Sequence, residues 1–499
     1  MAGYRHGMLR EAGMLNLDGS PLDCGRIARA ARFEEPVALT SEAWARVAAS
    51  HRGAERATER GPVYGRNTGV GANRDVAAGA EGHGLRLLRS HAAAGGAPLP
   101  GEAVRAMLLV RINQIAVGGS GISPQTTRAL LSMLNTGALP NVREHGTVGT
   151  GDLAALAGAG LTLLGERPAD APWAPMGGFP ETDALALISS NALTLGRAAL
   201  AVADLDPLLR VATVTTALSA LACRANPEAF SAEAARAAVV PGAATVARGL
   251  RDLMGSVRPA RVQDAFGFRA APQVQGVVVD ALAELAGLVG ALTATAQENP
   301  LVVADRVVHH GGFHMAGLTL RLDALRLGLA QAAPALLGRL RALSDPAVTG
   351  LPAFLATGPA GSSGTMIIEY TAASSYGVLR ASAAPASLET VVLSRGAEED
   401  ASFAPLAVRQ TETATAALRT LLACELLTAL RALSLRGSDA SVFHQARHAL
   451  RAQGGADEDT DDRDLQEDLD AAERALPQLG GPLATQWDAA PERARASGF

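Results

Sequence analysis

From Thr182 onward this 499-residue chain is a near-continuous series of long helical periodicities, which limits the folds open to it. Apolar residues recur at helical spacing over 182–223, 273–297, 315–344, 363–382 and 405–436. Helices of that length are stable only when partner helices cover their apolar faces along the whole length. The expected fold is therefore mainly α, with a long antiparallel helix bundle at its centre. Composition agrees, since Ala and Leu dominate and aromatic residues make up only 3% of the chain. The most apolar stretch, Leu185 to Cys223, is interrupted by Arg197, Asp204, Asp206 and Arg210. That pattern predicts a buried helix, so no membrane span is expected.

The first third is different. A helix is expected from Ser41, opened by Thr40-Ser41-Glu42-Ala43 in the manner of a capped start. Turn-rich sequence follows over Gly61–Gly71, then helical periodicity over 83–94 and 102–118, and a helix from Pro124 capped by Ser123. The glycine-heavy stretch Gly146–Gly151 runs into Asp152-Leu153-Ala154-Ala155-Leu156, the expected start of another capped helix. A linear division follows: 1–181 as an N-terminal domain holding both glycine-rich loops, 182–450 as the bundle, and 451–499 as an acidic linker and tail. The run Asp457-Glu458-Asp459-Thr460-Asp461-Asp462 is expected to be solvated and chemically idle.

Net charge and residue usage exclude several function classes. A net charge of −5 implies no general affinity for nucleic acid. The chain contains no lysine, so lysine Schiff-base chemistry and a lysine-bearing phosphate loop are both excluded. Three separated cysteines, Cys24, Cys223 and Cys424, suit a reducing cytoplasm and are expected to be small buried residues. The opening residues MAGYRHGMLREAG lack the apolar core of a signal peptide, so a cytoplasmic location is expected.

One segment carries a sharper signal. Gly146-Thr147-Val148-Gly149-Thr150-Gly151-Asp152-Leu153-Ala154-Ala155-Leu156-Ala157 resembles the aromatic amino-acid ammonia-lyases, which read Gly-Ser-Val-Gly-Ala-Ser-Gly-Asp-Leu-Ala-Pro-Leu-Ala there. In that family the Ala-Ser-Gly backbone cyclises and dehydrates to a methylidene-imidazolone, an electrophile that captures the substrate's amine or ring. Here the segment is one residue shorter, and Gly149-Thr150-Gly151 stands at the triplet. Cyclisation of this triplet would leave a bulkier ethylidene on Thr150. The segment also reads simply as a glycine-rich turn before a helix, and on that reading no prosthetic group is expected.

Further segments resemble the same family in order, from about residue 60 to 440. Tyr64-Gly65-Arg66-Asn67-Thr68-Gly69 is similar to the loop whose tyrosine removes the substrate's β-proton. A tyrosine titrates near pH ~10 in its ordinary state, so such a base needs a favourable field. The pair Ser90-His91 is similar to the histidine-lyase form of the selectivity segment. Val262–Gln273 resembles the stretch whose arginine clamps the substrate carboxylate; Arg269 keeps that planar two-pronged donor, with Gln263 beside it. At the family's tyrosine stands Phe266, at an asparagine stands Ser189, and at another stands Gly312 before Phe313. Asn191, two positions on, would lie about 200° round a continuous helix from Ser189. Gln297-Glu298-Asn299-Pro300-Leu301 and Ala397-Glu398-Glu399-Asp400 also match, the latter placing Glu399 where histidine lyases carry an acid near the substrate.

The resemblance implies a homotetramer with active sites drawing on more than one subunit, and a carboxylate-bearing small-molecule substrate. The residues implied to act on it are Tyr64, Thr150 and Glu399, with Ser90, His91, Ser189, Gln263, Phe266, Arg269 and Phe313 lining its site. The expected function is a lyase-fold enzyme of specialised biosynthesis, without the imidazolone, using Tyr64 as general acid or base for elimination, isomerisation or cyclising addition. Two alternatives stand beside it: an ammonia-lyase or aminomutase with an atypical ring from Gly149-Thr150-Gly151, and a non-catalytic binding tetramer. His309-His310 with His314, and His444 with His448, lack a completing cysteine or carboxylate nearby, so no metal site is expected.

Overall fold

A computed structural model describes residues 13–79, 81–456 and 460–481. The opening segment expected to lack a signal peptide, the acids Asp457-Glu458-Asp459 and the tail beyond 481 lie outside the described residues, apart from Gly13 of the opening segment. The structure is mainly helical, as the periodicity predicts. Its strands form three short ladders: Leu15–Leu17 parallel to Val37–Leu39, Gly95–Pro98 antiparallel to Arg143–His145, and Leu301–Val303 antiparallel to Arg306–Val308.

The chain divides into two compact units, each discontinuous in sequence. The first comprises 1–203, 285–322 and 385–409; the second comprises 204–284, 323–384 and 410–499. This differs from the expected linear division at 181/182 and 450/451. Four of the five new boundaries fall inside the helices Ala192–Ala222, Ala271–Thr293, Ala316–Ser344 and Ala404–Arg436, because long helices share their packing among several neighbours.

In the first unit the helix Gly101–Val117 is buried almost all round, packed by Cys24–Arg32, Ser41–Arg60 and Pro124–Thr136. The expected caps form: the Thr40 hydroxyl accepts from Ala43 N, and the Ser123 hydroxyl accepts from Thr126 N. Asp152 departs from expectation. It stands at the start of Leu153–Leu163, yet its carboxylate makes no cap and accepts instead from Thr194 N and Oγ at 2.8 and 2.9 Å.

The single helix predicted over 182–223 is two, Asp183–Ile188 and Ala192–Ala222. Ser189, Ser190 and Asn191 all find partners off the helix, and this competition opens the backbone. Ser189 Oγ accepts from Asn299 N, Ser190 O accepts from Asp152 N, and Asn191 Nδ2 donates to Phe313 O. Neither Ser189 nor Asn191 lies in a helix, so the separation expected on a continuous helix does not apply to them.

The second unit is organised by a buried carboxylate. Glu425 accepts from Arg339 Nε and Nη2, Thr215 Oγ and Ser219 Oγ, at 2.5 to 2.9 Å. Four donors on one carboxylate offset most of the cost of burying the charge. The three cysteines are buried, and desolvation pushes each thiol up to about 12, which leaves them inert. The apolar window within Asp183–Ala222 is wholly buried, while that within Phe266–Thr293 is 39% buried. By length and composition alone both stretches would be long and apolar enough to cross a membrane, but the first is broken at 189–191.

Candidate active site

The site begins with the loop that follows Ser41–Arg60. Asn67 closes it, its Oδ1 accepting from Val63 N at 2.6 Å and its Nδ2 donating to Gly61 O at 3.0 Å. Arg66 is buried beneath and donates to Gly121 O at 2.9 Å; desolvation pushes its pKa down. This anchoring holds Tyr64 half-buried, its hydroxyl accepting from Gly71 N at 2.8 Å. Burial raises the Tyr64 pKa above the ordinary value; the Gly71 N–H opposes this, and the Glu398 carboxylate adds to it. The His309 ring stands edge-on to the Tyr64 ring, 6.5 Å between centroids. Ala72 N donates to Ser394 Oγ at 2.8 Å, so the tyrosine loop is fastened to the segment carrying Glu398 and Glu399.

The glycine-rich loop is tightly bent. Gly149 and Gly151 lie at φ +95° and +117°, on either side of Thr150. The Thr147 hydroxyl spans the triplet, accepting from Gly149 N at 3.2 Å and donating to Gly151 O at 2.9 Å. From the 402–404 turn, Ser402 Oγ donates to Gly149 O at 3.0 Å and Phe403 N to Val148 O at 2.8 Å. A Cβ on Gly149 would meet Ser402 Oγ at 2.1 Å, so alanine has no room here. Behind the loop the fully buried Asp152 is pushed up to about 6 by desolvation, against its bonds from Thr194.

A third group braces the opposite wall. Arg111, fully buried, pairs with Glu298 at 2.6 Å and donates to the carbonyls of Ala186 and Leu187. One guanidinium thus ties Glu298 to the end of Asp183–Ile188; beside them Asn299 N donates to Ser189 Oγ, and Asn299 Oδ1 accepts from His310 N at 3.0 Å. Asn191 Oδ1 is buried with no hydrogen-bond partner among the described residues.

These elements of the first unit surround a cavity of about 920 Å³. Tyr64, His91, Thr150, Ser189, Phe313 and Glu399 all line it, six of the residues that the sequence singles out. Ser90 supports from one position away, its hydroxyl 2.9 Å from His91 Nδ1. Gly149 and Gly151 form the bend that presents Thr150. Gln263, Phe266 and Arg269 belong to the second unit, where the Arg269 guanidinium lies 4.2 Å over the Phe266 ring. With its amide turned, the Gln263 oxygen accepts from Arg269 Nε, Nη1 and Nη2.

Sequence reasoning passed over Glu398, His309, His314 and Asn299 as wall residues. Their motifs were visible, but which of two adjacent acids faces Tyr64 is a matter of loop conformation. His314 Nε2 lies 3.2 Å from an Asp400 carboxylate oxygen. Among the described residues no group of three or more His, Cys, Asp or Glu is placed to hold a metal ion.

Comparisons with known proteins place the chain in a family. The aromatic amino acid lyase family profile matches residues 22–453. A histidine ammonia-lyase of Deinococcus radiodurans is 34% identical over 433 residues, covering 81% of this chain and 83% of that protein. One from Streptomyces coelicolor is 35% identical over 475 residues, covering 89% and 92%. Among solved structures, histidine ammonia-lyase from Trypanosoma cruzi superposes with a TM-score of 0.85 at 28% identity, covering 97% of each chain.

These matches overturn the expectation of no prosthetic group. Similarity of this extent to proteins named histidine ammonia-lyases, in a family whose chemistry runs on a backbone-derived imidazolone, supports such a group here. The loop fits it. Two glycines in the left-handed region bend the backbone on either side of Thr150, donors already sit on the Gly149 and Gly151 carbonyls, and Thr150 faces the cavity. The chain is an enzyme of the aromatic amino acid lyase family.

Proposed function

We propose that this enzyme eliminates ammonia from an aromatic α-amino acid, with histidine the first candidate, and that Gly149-Thr150-Gly151 forms its prosthetic group. The observation that carries this reading is one cavity lined by Tyr64, Thr150 and His91. The ring would be held by Thr147 and Ser402, the side chains bonded to the triplet's backbone. When formed, it supplies the electrophile that captures the substrate's amine or ring.

The chain's own residues do the rest. Tyr64, as its phenolate, takes the β-proton and becomes the phenol; the Gly71 N–H bonded to its oxygen favours the phenolate that must be present beforehand. His91, steadied by Ser90, and the acids Glu398 and Glu399 offer polar partners for an imidazole ring and an ammonium group. Arg269 keeps the carboxylate-binding role that its motif implies, its plane oriented by Phe266 and Gln263. The working form is a homotetramer in a reducing cytoplasm. Exposed apolar residues at helical spacing support assembly: Ile367, Tyr370 and Val378 on one helix, Leu320 and Leu327 on another.

The test is ultraviolet detection of the unsaturated acid from each of L-histidine, L-phenylalanine and L-tyrosine. Urocanate from histidine supports the proposal. No unsaturated product from any of the three refutes it. Light scattering tests the tetramer.

A further inference from the structure

The turn Ser402-Phe403-Ala404 grips two successive carbonyls, the one before the reacting triplet and the first within it. Phe403 N donates to Val148 O at 2.8 Å, and Ser402 Oγ donates to Gly149 O at 3.0 Å. The turn is held in turn by Thr319, whose hydroxyl donates to Ser402 O at 2.7 Å. It is also strained: Phe403 is a non-glycine residue at φ +50°, in the left-handed region that side chains disfavour. Ser402 is 4% exposed, so its hydroxyl works in a dry setting. The contact excludes any side chain at position 149, since a Cβ there would come within 2.1 Å of Ser402 Oγ. A serine hydroxyl at 402 and a glycine at 149 therefore form a matched pair.

From this we infer that Ser402 is the donor that activates the Gly149 carbonyl for the backbone condensation. The inference rests on the proposed function, in that it assumes the triplet cyclises. The Gly151 amide nitrogen attacks the Gly149 carbonyl carbon, and the new C–N bond pushes the π electrons onto the oxygen that Ser402 Oγ–H faces. The Gly151 amide proton passes to that oxygen. The resulting hydroxyl leaves as the first water with the Thr150 amide proton, giving a C=N bond. The Thr150 hydroxyl then leaves with its own Cα proton as the second water, giving the Cα=Cβ bond. No oxidant or reductant is consumed. The hydroxyl acts as an oxyanion hole acts on an acyl carbonyl: fixed, buried and aimed at the atom where charge develops. Ser402 thus acts directly in maturation of the enzyme, before any turnover.

The readout is the intact mass of the chain against time after cell-free synthesis. Wild type is expected to become two waters lighter. Ser402→Ala is expected to condense roughly 10²–10³-fold more slowly, the usual cost of removing one oxyanion donor. Gly149→Ala keeps the hydroxyl but drives it off the carbonyl, and is expected to slow condensation as well. Circular dichroism establishes that each variant is folded, and if Ser402→Ala does not fold, Gly149→Ala decides. Condensation of a folded Ser402→Ala chain at the wild-type rate would overturn the inference and leave the proposed function standing. A wild-type chain that keeps both waters would overturn the two together.

Discussion

The backbone N–H of Gly71 donates to the hydroxyl oxygen of Tyr64 at 2.8 Å, seven residues on along the same loop. That bond gives the phenolate its nearest donor, while burial and Glu398 both favour the neutral phenol. Tyr64 is therefore held with its pKa above the ordinary tyrosine value, set by opposing local effects that can be altered one at a time.

The first to alter is Glu398. A base whose pKa lies above the ordinary tyrosine value makes kcat/KM climb toward alkaline pH. Glu398→Gln removes a negative charge, which favours the phenolate, so the climb is expected to move to lower pH. An unmoved pH profile in the variant would show that this carboxylate does not govern the base.

The second is Gly71 itself. It lies at φ +55°, and a Cβ there would meet Ser394 Oγ at 2.3 Å. Gly71→Ala is expected to cost roughly 1–2 kcal/mol from the left-handed backbone alone. It also displaces the N–H from Tyr64, so kcat is expected to fall more than thermal stability does. Adding Ser394→Ala removes the collision but not the backbone strain, and should restore activity in part. Kinetics and melting curves on the three chains check this.

Asp152 carries a stability prediction. Its folded pKa, about 6, is raised above the ordinary 3.8 by desolvation, so the folded state binds that proton more tightly than the unfolded chain. Its contribution to stability is fully present below the ordinary pKa and is lost as pH rises through about 6, a span worth roughly 3 kcal/mol. Asp152→Asn should lack this slope. Denaturant midpoints of both chains across that range measure it, and parallel curves would contradict it.

Much of the fold is legible in sequence because helical periodicity is a local signal. The caps at Thr40 and Ser123, and the long helices from 316 to 344 and 404 to 436, follow from it. The break at Ser189-Ser190-Asn191 does not, because each of those residues bonds to a distant partner: Asn299, Asp152 or Phe313. The same holds for Asp152, which resembles a cap by position yet serves Thr194, 42 residues away. Within the site, Tyr64, Thr150, His91 and Glu399 could be picked out by their motifs. Ser402 could not, since its bond to Gly149 spans 253 residues and no local pattern encodes it.

The most direct test of the proposed function pairs two chains and two products. Wild type and Tyr64→Phe are incubated with L-histidine, and ammonia and urocanate are measured together. Wild type is expected to release both in equal amounts, and Tyr64→Phe to do so roughly 10²–10⁴-fold more slowly, as loss of a general base requires. Equal rates from the two chains would contradict the proposed role of Tyr64, and no ammonia from the wild type would contradict histidine as the substrate of this site.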